Sequence, residues 1–256
     1  VVRYTRYVAI GDSQTEGLWD IDDSGELVGF ADRLAAMLDT HHPGLAYANL
    51  AVRGRQIRDV LDDQLPQALA MRPDLVTVCI GMNDVTRPGR HFPQAIAELE
   101  ELYARLADSG ATVVTTTFPD LARILPIGRV IAGRVERINA AIRAATDRYG
   151  FRLVDLFAAP SMTDVDTWSD DRVHGSAKGH ALFAAAAAEA LGLPGSNRDW
   201  TLPSDSARRP PLRSQAYAQL LWTQNMLLPW LWRHLRGRST GDGRGPKRPR
   251  LQGVAA

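Results

Sequence analysis

Tyr7-Val8-Ala9-Ile10-Gly11-Asp12-Ser13-Gln14-Thr15-Glu16-Gly17 sets an apolar run of strand length directly against a polar turn, with a serine where the strand ends. In a parallel α/β sheet, ligands bind beyond the carboxyl ends of the strands, so a serine at that point stands where chemistry gathers. Serine is inert at neutral pH unless a base takes its proton. Ser13 therefore reads as a nucleophile only if the chain also supplies a base, a group that orients the base, and donors for the oxyanion.

Outward from this stretch, short apolar runs alternate with longer amphipathic segments. Strands are expected near Tyr7–Ile10, Ala46–Leu50, Leu75–Ile80, Thr112–Thr116 and Arg152–Leu156. Helices are expected around Phe30–Leu38, Ile57–Ala70, Pro93–Ser109, Val130–Tyr149 and Ala177–Leu191. Five strands with helices between them predict an α/β fold on a parallel sheet. Pro93 suits the first turn of its helix.

The base is found in Asp171-Arg172-Val173-His174. A carboxylate three residues before an imidazole folds back onto its Nδ1–H in one turn and leaves Nε2 free to accept the serine proton. Two further fragments, Asn49-Leu50-Ala51-Val52-Arg53-Gly54 and Gly81-Met82-Asn83-Asp84, each follow an apolar run and offer a glycine amide and a side-chain amide as oxyanion donors. Asp170 is the fallback orienter, at the wrong offset. His41, His42, His91 and His234 have no acidic partner at a suggestive spacing, and His180 reads as a packing residue on the next helix. Asp12 reads as an acceptor of backbone hydrogen bonds in its turn. Arg53 and Arg55 flank Gly54 and read equally as a greeting for an anionic group or as exposed ion pairs.

Four such blocks in this order resemble the SGNH hydrolases, the GDSL esterases and lipases, named for a Ser, Gly, Asn and His in four separated blocks. Ser13 matches the first block, Gly54 the second, Asn83 the Gly-x-Asn-Asp block, and Asp171 with His174 the Asp-x-x-His block. The resemblance spans Tyr7 to Leu191. It implies a three-layer αβα flavodoxin-like fold with a five-stranded parallel sheet in the order 2-1-3-4-5. It also implies Ser13 as nucleophile, His174 as base, Asp171 as its orienter, and an oxyanion hole built from the Ser13 and Gly54 amides and the Asn83 side chain. The implied reaction is hydrolysis of a small-molecule acyl ester through an acyl-enzyme, without metal or organic cofactor. An acyltransferase of the same fold is the first rival, and a binding or scaffold protein that has lost turnover is the second. The full set of five residues argues against the latter. The chain departs from the family at Gln14, where leucine is usual, a position read as packing behind the nucleophile.

At 256 residues, with 45% hydrophobic and 23% charged residues, the chain is long enough for one sizeable core. Residues 1–195 are expected to form the catalytic domain, and 196–256 a C-terminal extension of linker, aromatic helix and basic tail. No apolar run reaches the roughly 18 residues that a membrane helix needs, and no signal-peptide pattern opens the chain. Cys79 is the single cysteine, so no internal disulfide forms, and its apolar run makes it a core residue. A cytoplasmic setting is expected. The formal net charge of +1 says nothing about partners for the whole molecule, although the last stretch is strongly basic; no recognition motif supports nucleic-acid or phospholipid contact there, and no nucleic acid is expected. Asp20–Glu26 imitates a calcium loop, but Ala31 stands where a bidentate glutamate is needed, so an acidic surface turn is expected. The Tyr217–Trp232 stretch is too aromatic to be left in water. It is expected to pack on its own domain, or else to serve a homodimer or membrane-surface contact. The basic Arg233–Arg250 stretch, rich in Gly and Pro, is expected to be extended or disordered and to bury little.

Overall fold

Strand β1 (Arg6–Gly11) is buried almost throughout, as an unbroken apolar run in a parallel sheet should be when helices cover both faces. The computed structural model describes residues 2–87, 89, 91–124, 128–204, 241 and 243–254. On one side β1 pairs in parallel with β2 (Ala46–Asn49), and on the other with β3 (Leu75–Cys79). Strands β4 (Thr112–Thr116) and β5 (Arg152–Val154) continue the parallel run beyond β3. The β1 register places Tyr7 beside Tyr47, and their rings stack at 4.9 Å. The Tyr7 hydroxyl is satisfied by Thr77 at 2.8 Å, which lets an aromatic with a polar tip sit fully inside the core.

The helices form two groups that sandwich the sheet. Helix α1 (Ser13–Glu16) packs on α2 (Gly29–His41), and α2 packs on α9 (Ala177–Leu191). On the other face α3 (Ile57–Asp59), a π-helical turn at Val60–Gln64, and α4 (Leu65–Ala70) lie with α5 (Met82–Thr86), α6 (Phe92–Ala107) and α8 (Gly128–Tyr149). A short α7 (Leu121–Ile124) precedes α8. The expected α/β architecture is therefore present, with one difference. Among the described residues the sheet has six strands in the order β5-β4-β3-β1-β2-β6, where five were expected.

The sixth strand, β6 (Arg248–Gly253), runs antiparallel to β2, pairing Ala46 with Gly253 and Asn49 with Arg248. It starts in the basic Arg233–Arg250 stretch that composition assigns to an extended or disordered segment burying little. The strand is extended and none of its residues is fully buried, and the charges beside and along it are used. Lys247 Nζ donates to the Leu27 and Val28 carbonyls at 2.9 and 2.6 Å and to the Asp32 carboxylate at 2.7 Å. The Arg248 guanidinium lies 5.4 Å from the Tyr47 ring centroid. Pro and Arg along the outer edge also suit a strand that must not recruit another. The aromatic Tyr217–Trp232 stretch and His234 lie outside the described residues. Among the described residues no helix is long and apolar enough to cross a membrane.

The carboxyl end of β1 is held with particular care. Gly11 has φ 150°, and a Cβ there would sit 2.3 Å from the Cys79 carbonyl oxygen, so no side chain fits. Its β2 neighbour has already ended, since the β1–β2 register stops at Ala9 and Asn49. Gln64, carried on the wide π-turn, replaces the missing strand. It accepts from Gly11 N–H at 2.8 Å and donates to Gly11 C=O at 2.9 Å.

Candidate active site

Directly beyond Gly11 the chain enters α1, a single turn capped by Asp12, whose carboxylate accepts from the Gln14 amide at 3.3 Å. Ser13 is the first residue of that turn and is 8% exposed. Its hydroxyl donates to His174 Nε2 at 2.7 Å, and His174 Nδ1–H donates to Asp171 Oδ2 at 2.6 Å. The structure thus brings together three side chains that the sequence reading singled out, across 161 residues of chain.

The Asp-x-x-His spacing works because its loop is closed on itself. Trp168 and Gly175 form an antiparallel bridge, Ser169 N–H donates to His174 C=O, and Arg172 takes a left-handed φ of 58° inside the turn. Asp171 Oδ1 accepts from the Val173 and His174 amides and the Ser169 hydroxyl at 2.8 to 2.9 Å, which aims Oδ2 at the imidazole. Burial opposes a charge on Asp171, but the His174 ring and these amides outweigh it and hold the carboxyl well below the usual range. Trp19 Nε1–H adds a further donor to Oδ2 at 2.8 Å.

Gln14 corrects the sequence reading. Its Nε2 donates to Val173 C=O at 3.0 Å and its Oε1 accepts from Gly175 N–H at 3.2 Å, so one amide brackets His174 from both sides. The position is not packing behind the nucleophile; it braces the histidine loop against α1.

The other two blocks meet the first through Asn83. Its Nδ2 donates to Asp12 Oδ2 at 3.1 Å and to Arg55 C=O at 2.9 Å, joining the neighbours of Ser13 and Gly54 and engaging both amide hydrogens. Among the described residues, neither Ser13 N–H nor Gly54 N–H has an acceptor. Gly54 sits in a turn at φ 78°. Asp12 is pushed up to about 7 by burial, against the pull of the Gln14 amide and His174. Next to Asn83, Asp84 accepts from Ile57 N–H at 3.0 Å and so fastens α5 to the start of α3.

Arg53 resolves as an ion pair. The buried Glu16 carboxylate accepts from Arg53 N–H at 2.8 Å and from its Nε and Nη2 at 2.9 and 2.7 Å. Asn49, the other amide of the second block, is spent on the Thr15 carbonyl and the Tyr47 hydroxyl. Asp170, His41 and His91 are exposed. Cys79 is buried, and burial pushes its thiol up to about 12. In the acidic turn Asp20 pairs with Arg33 at 2.8 Å, while Asp22 Oδ1 accepts from Ser24 and Glu26 amides. Among the described residues no group of three His, Cys, Asp or Glu is placed to hold a metal.

A serine hydroxyl already bonded to a carboxylate-backed imidazole is the arrangement that acyl transfer to water calls for. The chain belongs to the GDSL-like lipase/acylhydrolase family, whose profile matches residues 9–182, and with it to the hydrolases of carboxylic esters. Similar solved structures include an alpha/beta hydrolase enzyme from the metagenome of Lake Arreo, Spain. It is 24% identical, with a TM-score of 0.61 over 73% of this chain and 95% of that one. An acetylxylan esterase from Geobacillus stearothermophilus is 20% identical, with a TM-score of 0.60 over 73% and 94% of the two chains. TesA is 22% identical, with a TM-score of 0.59 over 73% and 98%. At these identities the likeness is one of fold. No curated protein sequence matches the chain.

Gln14, Glu16, Trp19 and Asp84 all escaped the sequence reading as functional supports. Gln14, Glu16 and Asp84 carried a signal in their place, beside or within a block, while their partners are set only by the tertiary fold.

Proposed function

We propose that this chain is a serine esterase that hydrolyses acyl esters through an acyl-enzyme intermediate. The reading rests on the hydrogen-bonded row Ser13–His174–Asp171, at 2.7 and 2.6 Å, in a chain of this family. Ser13 Oγ attacks the ester carbonyl carbon while His174 Nε2 takes the hydroxyl proton, and Asp171 steadies the imidazolium. The oxyanion is received by the Ser13 and Gly54 amides, which have no other acceptor among the described residues, and by the Asn83 side chain. Asn83 must share or release one of its resting bonds, to Asp12 or Arg55, as negative charge develops.

The tetrahedral intermediate collapses with cleavage of the bond to the alcohol oxygen, which receives the proton from His174. Water then gives its proton to His174 and attacks the acyl-enzyme, and Ser13 leaves as its hydroxyl with release of the carboxylic acid. These steps call on no metal or organic cofactor. Residues 1–195 are taken as the catalytic unit and 196–256 as an extension whose last strand, β6, joins the same sheet. The single buried thiol suits a cytoplasmic setting.

A fluorophosphonate probe followed by peptide mass spectrometry should place one adduct on Ser13. Turnover should be measured on p-nitrophenyl esters of rising chain length and, because one similar structure is an acetylxylan esterase, on acetylated xylo-oligosaccharides. Ser13→Ala should lower turnover by about 10⁴-fold or more. An adduct elsewhere, or wild-type turnover in Ser13→Ala, overturns the reading. Capture of the acyl group by an added alcohol in preference to water makes the protein an acyltransferase instead.

A further inference from the structure

The loop that carries Gly54 is gripped from a part of the chain far outside the family-matched blocks. An ideal Cβ on Gly241 would lie 2.0 Å from the Arg53 carbonyl oxygen and 3.2 Å from its carbonyl carbon. A hydrogen of Gly241 occupies that place instead, aimed at the oxygen, which is a close Cα–H···O contact. Arg53 C=O and Gly54 N–H belong to one planar trans peptide and point in opposite directions, so the orientation of the carbonyl decides that of the amide. The φ of Gly241 lies outside the left-handed range, so contact alone excludes a side chain there.

The residue that carries this carbonyl is also held, through its own N–H and its side chain. Glu16, on the same short helix as Ser13, takes Arg53 N–H and its guanidinium. Gly241 is buried, its carbonyl accepts from Arg244 N–H at 3.0 Å, and three residues further on Lys247 ties the segment to Leu27, Val28 and Asp32. Strand β6 then pairs with β2, the strand that leads into the Gly54 loop.

We propose that Gly241 is a positioning residue for the oxyanion hole: its bare backbone abuts the Arg53–Gly54 peptide and keeps the Gly54 N–H turned toward the reacting carbonyl oxygen. This rests on the esterase reading above. A methyl group at 241 must push the Arg53 carbonyl aside and rotate the donor with it, which weakens binding of the transition state while leaving the ground-state ester alone.

The test uses the full chain carrying Gly241→Ala, with Gly245→Ala as control, since a Cβ on Gly245 meets no atom within 4 Å. Gly241→Ala should lower kcat by about ten- to a hundredfold with KM held within about twofold, as for a donor displaced by part of an ångström. Affinity for an alkyl boronate, which fills the oxyanion hole as a tetrahedral anion, should fall by the same factor, and Gly245→Ala should match wild type in both. Lys247→Gln loosens the same tether without adding an atom to the loop, and should shift kcat in the same direction if the alanine variant does not fold. An active, Ser13-labelled wild type beside a fully active Gly241→Ala overturns this inference alone, as do losses in Gly241→Ala confined to KM. An inactive wild type, or a label away from Ser13, removes the esterase reading on which it stands.

Discussion

Gln14 brackets the histidine loop with one hydrogen bond on each side of His174, and its neighbour Ser13 bonds the ring of the same residue. A leucine at 14, usual in the family, can pack but cannot brace that loop. Each of the two bonds is worth about 1 kcal/mol, and the histidine they hold must keep its Nε2 on the serine hydroxyl. Gln14→Leu is therefore expected to lower kcat by about tenfold while KM moves little, with a small drop in melting temperature. An unchanged kcat, or a loss carried wholly by KM, would show that Asp171 and the closed Trp168–Gly175 loop hold the histidine unaided. At this scale three of the four blocks were legible because they follow strand ends closely, and the fourth because its Asp-x-x-His spacing is itself a signal. The supports were not legible, because Gln14, Glu16 and Trp19 find partners 159, 37 and 152 positions away, pairings that no local pattern encodes.

Helix α9 shows the same division one level up. Its span, Ala177–Leu191, was legible as one of the amphipathic segments, and the structure caps it with Ser176, whose hydroxyl accepts from Gly179 N–H at 3.1 Å. Its docking was not legible, because it depends on His180 reaching across to α2. There, Nδ1 accepts from Phe30 N–H at 3.2 Å and Nε2–H donates to Leu18 C=O at 3.1 Å, which caps a helix whose N-cap, Val28, offers no side-chain acceptor. Only neutral imidazole can do both, and burial pushes its pKa down from the ordinary 6.5 to about 4. The unfolded chain takes up this proton near pH 6.5 and the fold resists until about pH 4, so the contribution is whole above 6.5 and is lost as pH falls toward 4. Its full size is about 3 kcal/mol. Denaturant unfolding between pH 4.5 and 7.5 should show wild type losing stability in acid more steeply than His180→Gln, and parallel curves would remove His180 from the account. The π-turn at Val60–Gln64 was likewise invisible in the Ile57–Ala70 pattern, since one extra residue in a turn leaves apolar spacing nearly unchanged.

The family-matched blocks stop at residue 182, yet the sheet is completed by residues 248–253. Composition alone made the basic tail an extended or disordered segment, because a run of Arg, Lys, Gly and Pro carries little apolar surface. What it could not reveal is that backbone pairing with β2 and three acceptors for one ammonium replace the missing hydrophobic burial. Removing residues 247–256 should therefore strip β2 of a hydrogen-bonded neighbour and leave the Asp32 carboxylate, three-quarters covered, without its cation. Losing one partner of a buried pair costs about 3–5 kcal/mol. Because both side chains here keep some exposure, about 2–3 kcal/mol is expected from that source, with the lost strand pairing added to it. The truncated chain should melt lower and associate through the uncovered β2 edge, visible as light scattering during a thermal ramp. Arg250→Ala, at an exposed position on the same strand, should stay within about 0.5 kcal/mol of wild type. If truncation left melting temperature and scattering unchanged, β6 would be an ornament on a sheet that is complete with five strands. Ester hydrolysis by the same truncated chain separates the two roles of the segment: a drop in kcat exceeding what the unfolded fraction explains belongs to the Arg53–Gly54 peptide, and a drop matching that fraction belongs to the strand.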